Sequence, residues 1–382
     1  MKKRKLAALL TACVLLLSSF AGCAQTTEEQ SAQTQEQTTA ETTEEPAQEE
    51  SEVETTEQVS AHEGEWTFTD SLGRTVTLEG ELTRVAPSGN LAQQCLFSVA
   101  PEKMVGLGSD LGETAAKYYG EIADLPVFGA FYGSKANLNK EALLAADPQI
   151  VIDIGEVKDD MAQELDQLQE QIGIPVVFIE ASLVSTGDAF RTLGELLDCQ
   201  EQANKIADYC DQAVSEAQEN AASIPEEERK SVYYGLYEDG LTTCAQGSFH
   251  TEVIDLVGAV NCAEMENAGS GFTEISFEQL LNWQPDVVLL DTQSMVDAAP
   301  TDALWKELTA VQNGQVYKIP TEPYSFLDQP PAANRIIGIK WLENLLYPEV
   351  YDYDMVKEVQ DFYQLFYRYE LSDQEAQELL GQ

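Results

Sequence analysis

The sequence predicts an α/β protein built from two similar lobes joined by one long helix, with a cleft between them. Three observations carry that expectation. One pattern occurs twice, 137 residues apart (141 to 278): Glu141-Ala-Leu-Leu-Ala-Ala-Asp-Pro148-Gln-Ile-Val-Ile and Glu278-Gln-Leu-Leu-Asn-Trp-Gln-Pro285-Asp-Val-Val-Leu. Each copy reads as a short helix, a proline that ends it, and a buried strand. Short β-branched runs alternate with helical stretches in both halves, which favours mainly parallel sheets covered on both faces. Between the halves, Cys199 to about Ser223 contains neither Pro nor Gly and reads as one polar-rich helix.

The elements follow in chain order. Lys2, Lys3, Arg4 and Lys5 precede an apolar stretch from Leu6 to Phe20, too short for a comfortable membrane span. The stretch runs into Phe20-Ala21-Gly22-Cys23, which resembles the lipobox of bacterial lipoproteins, with Phe20 in place of the usual Leu. Residues 1–22 are therefore expected to be a signal peptide and Cys23 the lipidated residue, anchoring the chain outside the cytoplasm. Residues 23–63 are dominated by Thr, Glu, Gln, Ser and Ala, and are expected to form a disordered acidic tether. The acidic tether fits a Gram-positive surface.

The folded body begins near Trp66, where alternation around Asp70-Ser-Leu-Gly73 signals a hairpin. The N-terminal lobe is placed at 64–182. Its expected strands are Arg84-Val-Ala, Val105-Gly-Leu-Gly, Val127-Phe-Gly, Ile150 to Ile154 and Val176 to Ile179, with a helix over Leu91–Val99 capped by Asn90. Residues 183–226 form the link, and 227–346 the C-terminal lobe. Its strands are Val232 to Tyr237, Val287 to Asp291 and Gln315 to Ile319, with a helix over Thr251–Val257. Residues 347–382 hold an aromatic helix (Phe362, Tyr363, Phe366, Tyr367), expected to pack on the body, and a short one opened by Ser372. In the repeated unit, Asn139 and Ser276 suit N-caps, with Leu138 and Ile275 placed to staple onto Leu143 and Leu280.

Composition excludes several functions. A net charge of −46 repels nucleic acid and anionic membrane surfaces, so no nucleic-acid partner is expected and membrane attachment is through lipid alone. Of seven cysteines, five remain beyond Cys23. Cys199 and Cys210 on one helix stand about 16 Å apart, too far to bond. Cys244 and Cys262 are left as either a pair or free thiols. No Cys/His cluster suggests a bound metal, and no cofactor is expected. There is no Gly-x-Ser-x-Gly elbow, Walker Gly-Lys-Ser/Thr or His-Glu-x-x-His, and only two histidines are present, so an enzyme is not expected.

Several stretches together resemble the iron-siderophore and cobalamin class of ABC-transporter substrate-binding proteins: Asp70-Ser-Leu-Gly-Arg-Thr-Val, Arg84-Val-Ala-Pro-Ser, 137–152, Gly247-Ser-Phe-His-Thr to Gly258, 275–291 and Gln315-Val-Tyr-Lys-Ile-Pro. The resemblance spans about residues 66–348. It implies two Rossmann-like lobes, a ligand held between them, a monomer, and docking onto an ABC permease with its ATPase through one Glu per lobe, here Glu141 and Glu278. Ligands of open α/β sheets sit beyond the strand C-termini. That rule points to Ser88, Asn90, Tyr132, Tyr237, His250, Tyr324, Phe326 and Arg335, and to an anion site where Pro330 and Pro331 precede a helix. The expected ligand is a metal chelate of ferric-siderophore, haem or cobalamin type. The alternatives are a molybdate- or tungstate-like oxyanion, and a non-transport adhesin or sensor on the same fold.

Overall fold

The computed structural model describes residues 62–132, 136–265 and 271–382. The expected signal segment, Cys23 and the expected tether up to residue 61 lie outside the described residues.

A hairpin opens the body, with β1 (Glu65–Thr69) and β2 (Thr75–Glu79) paired antiparallel. Its turn is organised by buried Asp70, whose carboxylate accepts the amides of Leu72 (3.0 Å) and Arg74 (2.9 Å) and the Arg74 guanidinium (2.8 Å). The N-terminal lobe follows with β3 (Val85–Pro87), α1 (Asn90–Val99), α2 (Gly112–Tyr119), α3 (Lys140–Ala146), β4 (Ile150–Gly155), α4 (Met161–Ile172) and β5 (Val176–Glu180). Its sheet is parallel, in the order β3-β4-β5. Then α5 (Thr186–Leu196) packs on α6 (Gln200–Ser223), the linking helix, whose 24 residues run about 36 Å.

The C-terminal lobe comprises β6 (Ser231–Gly235), β7 (Thr242–Cys244), α7 (Glu252–Leu256), β8 (Val260–Asn261), β9 (Phe272–Glu274), α8 (Phe277–Trp283), β10 (Val287–Leu290), α9 (Gln293–Ala298), α10 (Thr309–Gln312) and β11 (Val316–Lys318). Its parallel sheet has the order β11-β10-β6-β8, and β7 and β9 form a separate antiparallel pair. The chain ends in α11 (Asn334–Leu346), α12 (Met355–Tyr367) and α13 (Asp373–Leu379).

Both sheets are covered on both faces, and strand periodicity shows how. On β4, Ile150, Ile152 and Ile154 enter a core shared by both lobes, while Val151 faces a core private to its lobe. On β10, Val287 and Leu289 enter the shared core and Val288 and Leu290 a second private one. The rings of Phe362, Tyr363, Phe366 and Tyr367 belong to the shared core, as the aromatic pattern predicts.

The repeated unit is the same at both places. Asn139 accepts the Ala142 amide, and Ser276 makes a capping box with Gln279. Leu143 and Leu280 are fully buried. Asp147 and Gln284 end the helices in left-handed backbone (φ 48° and 44°), one residue before the proline. The residue after the proline then clamps the neighbouring strand. Gln149 Oε1 accepts the amides of Thr83 (2.8 Å) and Arg84 (3.0 Å), and Asp286 Oδ2 accepts that of Ser231 (2.8 Å).

Two expectations change. Val105-Gly-Leu-Gly and Val127-Phe-Gly are not strands but meet in a single bridge, Leu107 to Val127. A side chain at Gly106 would collide with the Phe128 ring and one at Gly108 with the Gly89 backbone, so these glycines serve close packing rather than a ladder. Asn90 is the first residue of α1, not its cap: Gly89 holds that position and no side chain caps the helix. Cys95, Cys199, Cys210, Cys244 and Cys262 are all free thiols.

Candidate functional site

The C-terminal end of β4 and the segments after β3 and β7 converge on a cavity of about 190 Å³. The N-terminal lobe contributes Leu91, Tyr132, Ile154, Gly155, Glu156, Lys158 and Met161; the facing wall is Phe249, His250 and Pro331. This is where the strand-end rule places a ligand. A larger cavity of about 820 Å³, lined by Arg229, Lys230, Asp286 and Gln315, lies at the starts of β6, β10 and β11, the wrong end of the sheet for that rule.

Behind Tyr132 stands Asp153, 4% exposed. It accepts hydrogen bonds from the Ser88 hydroxyl and the Tyr132 phenol. Burial pushes the Asp153 carboxyl up to about 6, against the opposing pull of those two donors. Burial, and then the Asp153 charge, holds the Tyr132 phenol well above its ordinary value. On the other wall, His250 Nδ1 lies 2.8 Å from Oδ1 of Asp328, a carboxylate with no exposure. The His250 ring packs against Phe272 at 4.6 Å between centroids.

The remaining expected contacts lie elsewhere. Asn90 is exposed and does not line the cavity. Tyr237 is exposed, in left-handed backbone (φ 64°), with its amide donating to Asp291 at 3.1 Å. The Tyr324 hydroxyl meets that of Tyr119 at 3.0 Å, behind the cavity. Phe326 is fully buried in the shared core. Arg335 is 2% exposed and committed: its Nη1 donates to Glu252 at 2.6 Å and to the Phe249 carbonyl at 3.0 Å, and its plane lies over the Phe249 ring. Its partner is Glu252, not the Asp328 or Glu322 that sequence proximity suggests. The helix start beyond Pro331 is likewise occupied. The amides of Ala333, Arg335 and Ile336 bond to Gln94 Oε1, Ala332 and Ala333 respectively, so the anticipated anion site there is closed.

Residues missed by sequence reasoning are Leu91, Lys158, Met161 and, above all, Asp153. A lone Asp inside Ile-Val-Ile-Asp-Ile was the available signal, since an acid in a buried strand needs a partner or a purpose.

Glu141 and Glu278 are both exposed in the first turn of their helices. Neither enters an ion pair among the described residues. No helix among the described residues is long and apolar enough to cross a membrane.

Comparisons with known proteins follow the same lines. Residues 130–323, about half of the chain, match the profile of a family described as periplasmic binding protein. The chain is 24% identical over 325 residues to the molybdate-binding protein MolA of Haemophilus influenzae, covering 78% of this chain and 90% of that protein. It is 25% identical over 190 residues to the Fe(3+)-citrate-binding protein YfmC of Bacillus subtilis, covering 48% of this chain and 58% of that one. Among solved structures, an ABC transporter solute binding protein from Sulfurospirillum deleyianum superposes with a TM-score of 0.76 at 29% identity, covering 83% of this chain and 99% of that one.

Proposed function

The chain belongs to the periplasmic binding protein family, and from that premise we propose that it is the extracytoplasmic solute-binding component of an ABC importer, capturing a metal chelate and delivering it to a membrane permease and its ATPase. The observation that carries this is a cavity walled by both lobes, in a molecule whose two lobes repeat an exposed Glu at the same place. Glu141 and Glu278 are the docking points for the permease. Support comes from the turns at Asp147 and Gln284, left-handed in both units, which reverse the chain in the same way between helix and strand. The protein acts as a monomer tethered by lipid on Cys23, with lobes at 64–182 and 227–346, the link at 183–226 and the C-terminal helices at 347–382.

Tyr132 and His250 are the ligand-side residues of this reading, with Ser88 supporting the wall through Asp153. A cavity of about 190 Å³ is below the roughly 300–1,000 Å³ of drug-sized ligand sites, so a bulky chelate is held partly outside it or by further separation of the lobes. A second reading, a molybdate-like oxyanion, is favoured by the match to MolA over most of its length and by Lys158 in the wall. Thermal melts of the full chain against ferric siderophores, haem, cobalamin, molybdate and tungstate test both. A solute at a hundred times its dissociation constant adds about 2.7 kcal/mol. A saturable shift with a chelate supports the first reading; a shift with oxyanions alone replaces it with the second; silence across the panel removes both.

A further inference from the structure

We propose that the C-terminal segment 368–382 is a strap that sets the spacing of the two lobes at the cleft, by clamping α2 of the N-terminal lobe against α12. The inference does not depend on which solute the cleft takes. It rests on a chain of contacts that runs from α13 through α2 to the supports of both cavity walls, and each link joins parts of the fold far apart in sequence.

The strap is pinned along its length. At its start, Arg368 stands in left-handed backbone (φ 54°) and donates to the carbonyls of Phe97, Ser98 and Val99 at the end of α1. The Gln360 amide of α12 then holds the turn, donating to the Leu371 carbonyl (3.0 Å) and to Asp373 (2.9 Å). Leu371 and Ala376 enter the shared core, Ala376 with no exposure. Glu375 does two things at once. Its Oε2 accepts from the Ser372 amide (3.0 Å) and hydroxyl (2.9 Å), completing the capping box of α13. Its Oε1 accepts from Lys117 of α2 (2.8 Å) and from the Tyr369 phenol (3.0 Å). The Lys117 ammonium also lies over the rings of Tyr118 and Tyr369, 5.0 and 5.2 Å from their centroids. An isolated exposed ion pair adds little, but this one shares its carboxylate with a helix cap and its ammonium with two aromatic faces. Lys117 first, and then Ser372, hold the Glu375 carboxyl down at about 2, so the clamp stays charged at neutral and mildly acidic pH.

What the clamp holds is a bridge between the lobes. Tyr118 of α2 packs edge-on to Tyr363 and Tyr369, and its hydroxyl donates to Glu322 at 3.4 Å. The Tyr119 hydroxyl meets that of Tyr324 at 3.0 Å. Glu322 and Tyr324 belong to the loop before α11, which runs on to Asp328, the partner of His250, and to Pro331 in the cavity wall. In the other direction, α2 leads through Gly120–Asp124 to the bridge at Val127 and on to Tyr132 in the facing wall. Separating the lobes at the cleft therefore strains either the two tyrosine contacts or the grip of the strap on α2.

Hydrogen–deuterium exchange of the full chain, with no solute added, tests this with two variants. Ala376→Asp forces a carboxylate into a site with no exposure and is expected to lift α13 from the body. Glu375→Gln keeps the capping box, which Gln also makes, and removes only the charge that grips Lys117; it keeps the test sharp if Ala376→Asp does not fold. Amides of α2 and of residues 321–332 are expected to exchange together at least about tenfold faster in Ala376→Asp. In Glu375→Gln the same amides are expected to exchange about two- to fivefold faster. In both, α4 and β5 are expected to keep their wild-type rates. Unchanged exchange at α2 in both variants overturns the proposal. So does faster exchange at α2 alone, since the strap would then hold one helix and not the spacing of the lobes. Faster exchange over the whole body overturns it as well, because the segment would then serve general stability.

Discussion

The unit α3–β4 and the unit α8–β10 are built from the same parts and end differently. Both have a capped helix with a Glu in its first turn, a fully buried Leu, a left-handed residue before a proline, and a side chain that clamps the next strand. The difference begins three residues into the strand. The private face of β4 carries Val151 and then Asp153, whereas β10 carries Val288 and then Leu290. One lobe thus puts a buried acid at its strand end, toward the cleft, while the other closes the same position with a leucine and brings its acid, Asp328, from the loop before α11. The frame is held in common and the ligand-facing chemistry is not. A repeated unit therefore identifies the scaffold more safely than it identifies a binding site.

Breaking both frames at their exposed Glu is expected to have the largest effect. Glu141→Lys with Glu278→Lys should abolish uptake of whichever chelate stabilises the wild type, while its calorimetric affinity and the melting curve change little; uptake at the wild-type rate would remove the docking assignment. Next come the buried leucines. Leu143→Ala and Leu280→Ala should each cost about 2–5 kcal/mol in denaturant unfolding, since both side chains are fully buried. A cost in one unit alone would show that the two frames are not equivalent.

The third experiment sharpens the difference. The Asp153 carboxyl is pushed up to about 6 from 3.8 by burial, so the folded chain binds this proton more tightly than the unfolded one. The sign follows: this contribution falls as pH rises from about 4 to about 6, by at most about 3 kcal/mol. Asp153→Asn should flatten that part of the stability profile, and no counterpart is expected from Leu290. The smallest effect concerns the caps. Asn139→Ala and Ser276→Ala should cost about 1 kcal/mol each, since each side chain accepts one amide of its helix.

What was legible in the sequence was local. The caps Asn139 and Ser276, the helix-ending prolines, the buried strands β4, β5, β6 and β10 and the unbroken linking helix are set by residues close in the chain, and these appear where the pattern predicts. What failed was decided at long range. Arg335 pairs with Glu252, 83 residues away, and Tyr324 meets Tyr119 across 205. No local signal tells whether the loop before α11 turns its side chains to the cleft or to the core, and Phe326 went to the core. Gly106 and Gly108 look like strand punctuation but answer to Phe128 and Gly89 packed above them.

The junction between the lobes has a thermodynamic consequence. Gln94 of α1 bonds to Asn334, Tyr367 and the Ala333 amide, and Arg368 takes the carbonyls of Phe97 and Ser98 at the end of the same helix. The main hydrophobic core also draws on β4, β10 and α12 at once. Neither lobe can lose its fold without stripping partners from the other. Heating should therefore give one calorimetric transition, not two, with van't Hoff and calorimetric enthalpies in agreement. By the same coupling, a lobe expressed alone would leave an apolar face uncovered and would not hold its shape.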